Sequence, residues 1–341
     1  MKLVIQEIID QEIIHYADKD QLISSKFNRI KIIDKHGGKT IKMPIASPYF
    51  LFGQFRLFRR FMRLDKMCVI PSATGYVIFW QGIVYHLSRD CSKLIDVMHM
   101  TGCRNPLHNT VANINGYELF FGEYGRPNPA GKSIYRTLDG GLSWEKVFNI
   151  PNDKIRHIHS VNWDHYEEKI WVFTGDFEGQ SFILSADKDF KNIEWIGDGT
   201  QCYRAINPFF EKDSIHWIMD SPLKEVHHIK LDRQTREIEI KKTFPGPVWY
   251  SKKLDDGYYL AATAQENGPS HQDKYLHFFV SKDLEQWEDI AQFKSDRMPK
   301  GLFKFGVITF ADGEQDSNGF YIFYEAVKQF DGKSCLCQLA K

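Results

Sequence analysis

The sequence predicts an all-β fold, a seven-bladed β-propeller, and three observations carry that prediction. Aspartates in turn-like contexts recur as Asp34, Asp90, Asp139, Asp187, Asp232 and Asp283, at intervals of 56, 49, 48, 45 and 51 residues. A period of this size marks stacked supersecondary units of about four strands each. Between the aspartates lie apolar runs closed by Gly or polar residues, among them YVIFWQGIVYHLS, YELFFGEYG, KIWVFTGD, SIHWIMDS, GYYLAATAQE and GFYIFYEAV, which read as strands. Aromatic residues make up 14% of the 341-residue chain, with eight Trp and fifteen Tyr, a composition that suits sheets.

Each blade follows from that period. Six aspartate turns mark six blades, and the segment from Gly301 to Lys341 offers three further strands without a turn of this kind. The leading run KLVIQEII supplies the missing fourth strand, so the ring closes with both chain ends in one blade. Six blades is the alternative count. The chain is then a single domain, 1–341, with blades roughly at 10–45, 65–100, 105–150, 155–198, 199–245, 246–295 and 300–341 plus 2–9. The long first interval holds an insertion, LFGQFRLFRRFMRL from Leu51 to Leu64. At about 100° per residue it forms one amphipathic helix, with Arg56, Arg59, Arg60 and Arg63 on one face and Leu51, Phe55, Leu57, Phe58, Phe61, Met62 and Leu64 on the other. Either the apolar side packs inward on the propeller, or the helix lies on an anionic membrane surface as a peripheral contact.

Composition narrows the function classes. Lys+Arg and Asp+Glu balance at 44 each, so no nucleic-acid partner is expected and any charge-based recognition is local. The six cysteines contain no C-x-x-C pair, and Cys335 and Cys337 alternate like strand residues. Reduced thiols in a cytoplasmic protein are the expectation. Acids at Glu7, Asp10 and Glu12 interrupt the first apolar run, which is neither a secretory nor a transit segment. No stretch is long and apolar enough for a spanning helix. The expected location is therefore cytoplasmic, with membrane association through the 51–64 helix.

Aligning the blades by their turns predicts the first strand of each, near 68–71, 109–114, 157–163, 202–206, 248–254 and 305–310. Their approaches carry Arg104 and His108, then Arg156, His157 and His159, then Gln201, Tyr203 and Arg204, then Trp249 and Tyr250, then Lys304. The following strands end in Glu123, Asp176, Asp220, and Gln265 with Glu266. Antiparallel neighbours bring the end of the second strand near the start of the first, so both sets converge on one mouth of the ring. His157 and His159 have three readings: histidines bonded to blade backbone, substrate-binding or acid–base residues, or ligands of a divalent metal with Glu123, Asp176 or Gln201. No cofactor is required by the sequence. Arg104 and Arg204 either clamp a carboxylate bidentately or form inter-blade ion pairs. Trp249 and Tyr250 either stack on a sugar ring or serve blade packing.

The turn TLDGGLSW, Thr137 to Trp144, fits the pattern Ser/Thr-x-Asp-x-Gly-x-x-Trp and resembles the Asp-box. Degraded copies surround the other five aspartates. With the blade count and the Arg/His/Tyr set, the chain resembles the Asp-box (BNR) propellers, a superfamily of sialidases, other glycosidases and polysaccharide lyases. The segments GEYG, RHIH, TGD, TQCYRA, DSP and GPV look like a subgroup associated with bacterial surface-polysaccharide genes. The Arg-Ile-Pro that begins the sialidase arginine triad is missing, which disfavours a sialidase.

The resemblance implies an acidic oligo- or polysaccharide as partner, cleaved by elimination or hydrolysis. It assigns catalytic roles to His157, His159, Tyr250, Asp176 and Glu123. Arg104, Arg156, Gln201, Arg204, Asp220 and Trp249 would bind the substrate. Elimination would use His157 or His159 with Tyr250 for proton transfer and Arg204 to neutralise a uronate. Hydrolysis needs two carboxylates across the bond, from among Glu123, Asp176 and Asp220. The alternative is a non-catalytic glycan-binding or protein-interaction propeller. Oligomeric state is not readable from the sequence.

Overall fold

The computed structural model describes residues 1–125 and 128–341. Seven four-stranded antiparallel sheets account for its strands, the architecture of a seven-bladed β-propeller. Numbered along the chain, blades 1 to 6 occupy 13–42, 67–99, 112–150, 157–199, 209–244 and 248–294. Blade 7 takes three strands from 307–340 and its fourth from Lys2–Asp10. That strand runs antiparallel to Lys333–Ala340, from Lys2 opposite Ala340 to Asp10 opposite Lys333. The expected closure by the leading run is therefore present. No helix among the described residues is long and apolar enough to cross a membrane.

The chain divides into two compact units, Met67–Thr243 and the remainder, Met1–Lys66 with Phe244–Lys341. In the first, blades 2 and 3 share a core of Ile70, Val77, Phe79, Leu119 and Phe121. Blades 3 and 4 share another, of Phe120, Ile134, Ile158, Val161 and Val172. Strands buried on both faces in this way read as near-continuous apolar runs rather than alternating ones. In the second unit Ile14, Ala17 and Ala311 join blades 1 and 7. The Asp312 amide donates to the His15 carbonyl, and the Ala17 amide to the Asp312 carbonyl, both at 2.9 Å.

All six periodic aspartates sit in the hairpin between the third and fourth strands of their blade. Asp139 is the fullest case. Its Oδ1 accepts the Leu142 and Ser143 amides at 2.9 Å each and the Thr137 hydroxyl at 2.7 Å. Gly140 and Gly141 take φ of 74° and 97°, which an L side chain would strain. Trp144 then lies edge-on to Phe121 at 5.1 Å. The same carboxylate-to-amide pattern holds at Asp34, Asp187, Asp232 and Asp283. Asp187, Asp232 and Asp283 take two amides each, whereas Asp34 takes that of His36 and Asp90 that of Ser92.

Two expectations need correction. The 202–206 segment is not a strand: Gln201–Tyr203 forms a 3-10 turn and blade 5 begins at Phe209–Phe210. The single helix of 51–64 is two short ones, α1 (Ser47–Phe52) and α2 (Arg56–Met62). A Cβ at Gly53, between them, would lie 2.1 Å from the Phe27 ring, so the chain passes too close for any larger residue.

Of the two orientations expected for this segment, the inward-packed apolar face is not the one found. Arg59 and Arg60 are buried, whereas Leu51, Phe52, Phe55, Leu57 and Phe61 are exposed. Arg59 Nε lies 2.9 Å from Asp65, Arg56 Nη2 lies 2.8 Å from Asp331, and Arg60 pairs with Asp296. An amphipathic pattern separates two faces but does not say which one turns inward. Here carboxylates remote in sequence decide it.

The turn chemistry gives the first prediction. Asp139→Ala strips several hydrogen bonds to a carboxylate and lowers stability by about 1.5–3 kcal/mol, with a lower Tm in a thermal melt. Asp34→Ala in blade 1, where the carboxylate takes the His36 amide, should cost less. A loss at Asp139 no greater than that at Asp34 would show that the additional hydrogen bonds of the Asp139 turn carry no energy.

Candidate functional site

Blade 4 starts with the strand His157–Asp164, which faces Lys169–Gly175. The register slips between Ile158 and Ser160, so His159 is the bulged residue, a device that re-aims a side chain. Gly175 makes room for it, since a Cβ there would sit 2.5 Å from His159 Cε1. Both imidazoles then meet one carboxylate, that of Asp176 just past the second strand. His157 Nε2 is 3.1 Å from Asp176 Oδ2, and His159 Nε2 is 2.9 Å from Oδ1.

Arg204, which follows the 3-10 turn, completes the cage. Its Nη1 donates to the Asp176 carbonyl at 2.8 Å, and Nη2 stands 3.4 Å from Oδ1. Its Nε reaches Asp220 Oδ2 at 3.4 Å. Gln201 donates to the same Asp176 carbonyl at 3.1 Å and accepts the Ser221 hydroxyl at 2.7 Å. His159 Nδ1 faces the Ala205 carbonyl at 3.1 Å and Asp220 Oδ2 at 3.6 Å. Thus His157, His159, Asp176, Gln201, Arg204 and Asp220 form one network in the Met67–Thr243 unit.

The protons in this network are constrained. The Gly125 amide donates to His157 Nδ1 at 3.3 Å, which leaves the hydrogen of a neutral ring on Nε2, directed at Asp176. Burial opposes ionisation of Asp176, but the two imidazoles and Arg204 outweigh it and hold the carboxyl far below the usual range. Burial depresses the His159 pKa against the pull of Asp176, with Arg204 and His157 adding to the depression. A general base needs a lone pair free to take a proton. His157 has its Nδ1 lone pair engaged by an amide, and His159 is buried at 2% exposure with both nitrogens against protein oxygens.

The remaining residues divide by position. Arg156 is 38% exposed, lies 3.7 Å from Asp176 and stacks over Phe177 at 4.8 Å. Glu123 is buried inside blade 3, where it accepts the Ser133 amide at 2.9 Å and the Tyr135 hydroxyl at 3.3 Å. Its electrostatic neighbour is the fully buried Lys132, whose pKa burial lowers while Glu123 resists. Arg104 is exposed on the loop before blade 3, and its carbonyl accepts the Gly82 amide.

Trp249 and Tyr250 belong to the other unit. Tyr250 is buried in blade 6, and Trp249 is the bulged residue of its strand. The indole donates to Glu266 at 3.1 Å, and Lys300 donates to the Glu266 carbonyl at 3.0 Å. Among the described residues no group of three or more His, Cys, Asp or Glu is arranged to hold a metal ion.

Two participants escaped the sequence reading, Tyr124 and Phe177. Tyr124 lies 4.5 Å from the His157 ring, centroid to centroid, and Phe177 is 49% exposed beneath Arg156. Each directly follows an acid already singled out, so the position after the second-strand acid was the available signal.

No family model and no curated protein matches the chain. Solved structures do. YCF48 bound to D1 peptide aligns at TM-score 0.58 and 10% identity, over 99% of this chain and 95% of that one. YCF48 from Cyanidioschyzon merolae aligns at 0.57 and 10%, over 99% of each. A puromycin-hydrolyzing peptidase of Mycobacterium tuberculosis aligns at 0.56 and 10%, over 92% of this chain but 50% of its own. These likenesses establish the propeller fold, which serves as an interaction or a catalytic domain in different proteins.

The charge states give a second prediction. His159 is depressed by burial, and His216, hydrogen-bonded to Ser214 and His228, is depressed to about 4 by burial with Lys230 and Lys241 adding. A histidine lowered in the native state stabilises the fold above its unfolded value near 6.5, and that contribution drains away as pH falls toward the native pKa. Asp176 adds its own loss further down, below the unfolded carboxyl value near 3.9. Urea midpoints should therefore drop between pH 7.5 and 5, with His216 contributing on the order of 2 kcal/mol of lost stability over that window. A midpoint that holds or rises on acidification would contradict these states.

Proposed function

We propose that this chain is a non-catalytic interaction propeller that grips a carboxylate-bearing segment of a partner at the Arg156–Phe177 edge of blade 4. The observation that carries this reading is the engagement of every candidate acid and base by the protein itself. Asp176 is caged by two imidazoles and a guanidinium, His157 has its free lone pair taken by an amide, and Glu123 is buried on Ser133 and Tyr135. What remains on the surface is Arg156 over Phe177, a cation on an aromatic plate. Such a pair suits a planar anion, met bidentately by the guanidinium. The buried network beneath would then be a positioning device for Arg156.

An extended acidic peptide is the preferred occupant. YCF48, of the same fold, has been solved with a peptide bound. An acidic glycan presents the same carboxylate, and the six turn aspartates are shared with the Asp-box propellers that handle such polymers. Membership of that superfamily, a role in surface-polysaccharide handling and a cytoplasmic location belong to this proposal. Elimination or hydrolysis at His157, His159, Asp176 or Tyr250 is the reading that loses support.

Calorimetric titration with acidic and amidated peptide libraries, and with uronate oligosaccharides in a parallel arm, tests this. Arg156→Ala and Phe177→Ala alter exposed side chains and should each weaken binding by about tenfold or more, the value of a charge-assisted contact. Release of unsaturated or reducing ends from the oligosaccharides would overturn the proposal in favour of an enzyme.

A further inference from the structure

A second surface, independent of the blade 4 edge, lies on the other unit. Six large apolar side chains, Leu51, Phe52, Phe55, Leu57, Phe61 and Leu302, stand 45–67% exposed on α1, α2 and a third short helix, α3 (Lys300–Phe303). Phe61 meets Phe303 at 5.8 Å, and Arg60 Nε donates to the Phe303 carbonyl, so α2 and α3 present one continuous face. Helices on globular proteins turn such faces inward, and contiguous exposed apolar patches of this kind mark interaction sites.

The arrangement is maintained by charge. Arg56, Arg59 and Arg60 point inward to Asp65, Asp296 and Asp331, and Leu51, Phe52, Phe55, Leu57 and Phe61 are left facing solvent. Those three carboxylates are consumed at the base of the helices. Glu325 is likewise taken, by Lys66 and Lys304, and along the chain no acid occurs from residue 35 to 64 or from 297 to 311. Arg63, at the end of α2, and Arg297, ahead of α3, are exposed. The face is thus apolar and aromatic, flanked by cations and free of carboxylates in sequence.

We infer that this face docks on an anionic lipid surface, seating its Phe and Leu side chains at the headgroup boundary with Arg63 and Arg297 against lipid phosphates. Aromatic and aliphatic residues with basic flanks are the pattern of interfacial helices, and each basic residue near an anionic leaflet adds attraction. A second copy is the poorer occupant. A two-fold contact sets each patch against itself, which would bring the like-charged flanks together.

Co-sedimentation with vesicles tests the inference, using phosphatidylcholine alone and phosphatidylcholine mixed with phosphatidylglycerol. The protein should pellet with the mixed vesicles, release with added salt, and stay in solution with phosphatidylcholine alone. Leu51→Ser with Phe55→Ser should lower the partition by at least about tenfold, given the apolar burial lost. Because both side chains face solvent, Tm should not fall. Arg63→Glu with Arg297→Glu should abolish the preference for phosphatidylglycerol while leaving the apolar face intact. Failure to pellet with mixed vesicles, or pelleting unaffected by both double variants, would overturn the inference. So would a dimer in light scattering that the serine variant dissolves, since the face would then belong to a second copy.

Discussion

A charge withdrawn from water has to meet its opposite inside the protein, and this requirement organises the two most unusual parts of the chain. In blade 4, Asp176 is the group that must be satisfied. The bulge at His159, the bare backbone of Gly175 and the 3-10 turn before Arg204 all bring donors to it. In the insertion after blade 1 the roles are exchanged, and three arginines draw in carboxylates from residues 65, 296 and 331. Removing one member of such a set leaves the others buried and uncompensated, which is costly even where the intact set contributes little net stability. The geometry at both places is therefore stiff, and what each presents to solvent is held in place from beneath.

The blades obey a simpler rule. Apolar strands covered on both faces supply the cores, and a polar turn at the same phase of each repeat ends the third strand cleanly. Asp139 illustrates why this recurs with so little sequence: one carboxylate closes a turn that would otherwise leave several amides unpaired. Trp144 then adds a wide surface beside Phe121. The Asp283 copy keeps Trp287, edge-on to Phe244, whereas the copies at Asp34, Asp90 and Asp232 keep the aspartate without a tryptophan, because the turn needs the acceptor whereas the packing can be filled in other ways.

Much of the architecture was legible because it is periodic. The aspartate spacing located six hairpins, and the missing seventh pointed to closure by the first strand. The histidines, Asp176, Gln201 and Arg204 were legible as one cluster because they sit at one phase of that period. Blade 5 was misjudged because CYRAI has strand-like composition but lies in a turn whose purpose is to aim Arg204. The insertion was misjudged because its inward partners are up to 275 residues away, beyond the reach of any local pattern. Glu123 shared the phase of Asp176, yet it turns to Ser133 and Tyr135 of the strand that follows it.

The closure of blade 7 has a consequence in time. Lys2–Asp10 is separated from its partner, Lys333–Ala340, by more than three hundred residues of chain. During synthesis the earlier of the two strands emerges long before its partner exists. Blades 2 to 5 are each contiguous in the chain and can complete their pairings as they emerge. Blade 7 closes only after the intervening blades have been made, so the pairing of its two distant strands is a late step set by the topology.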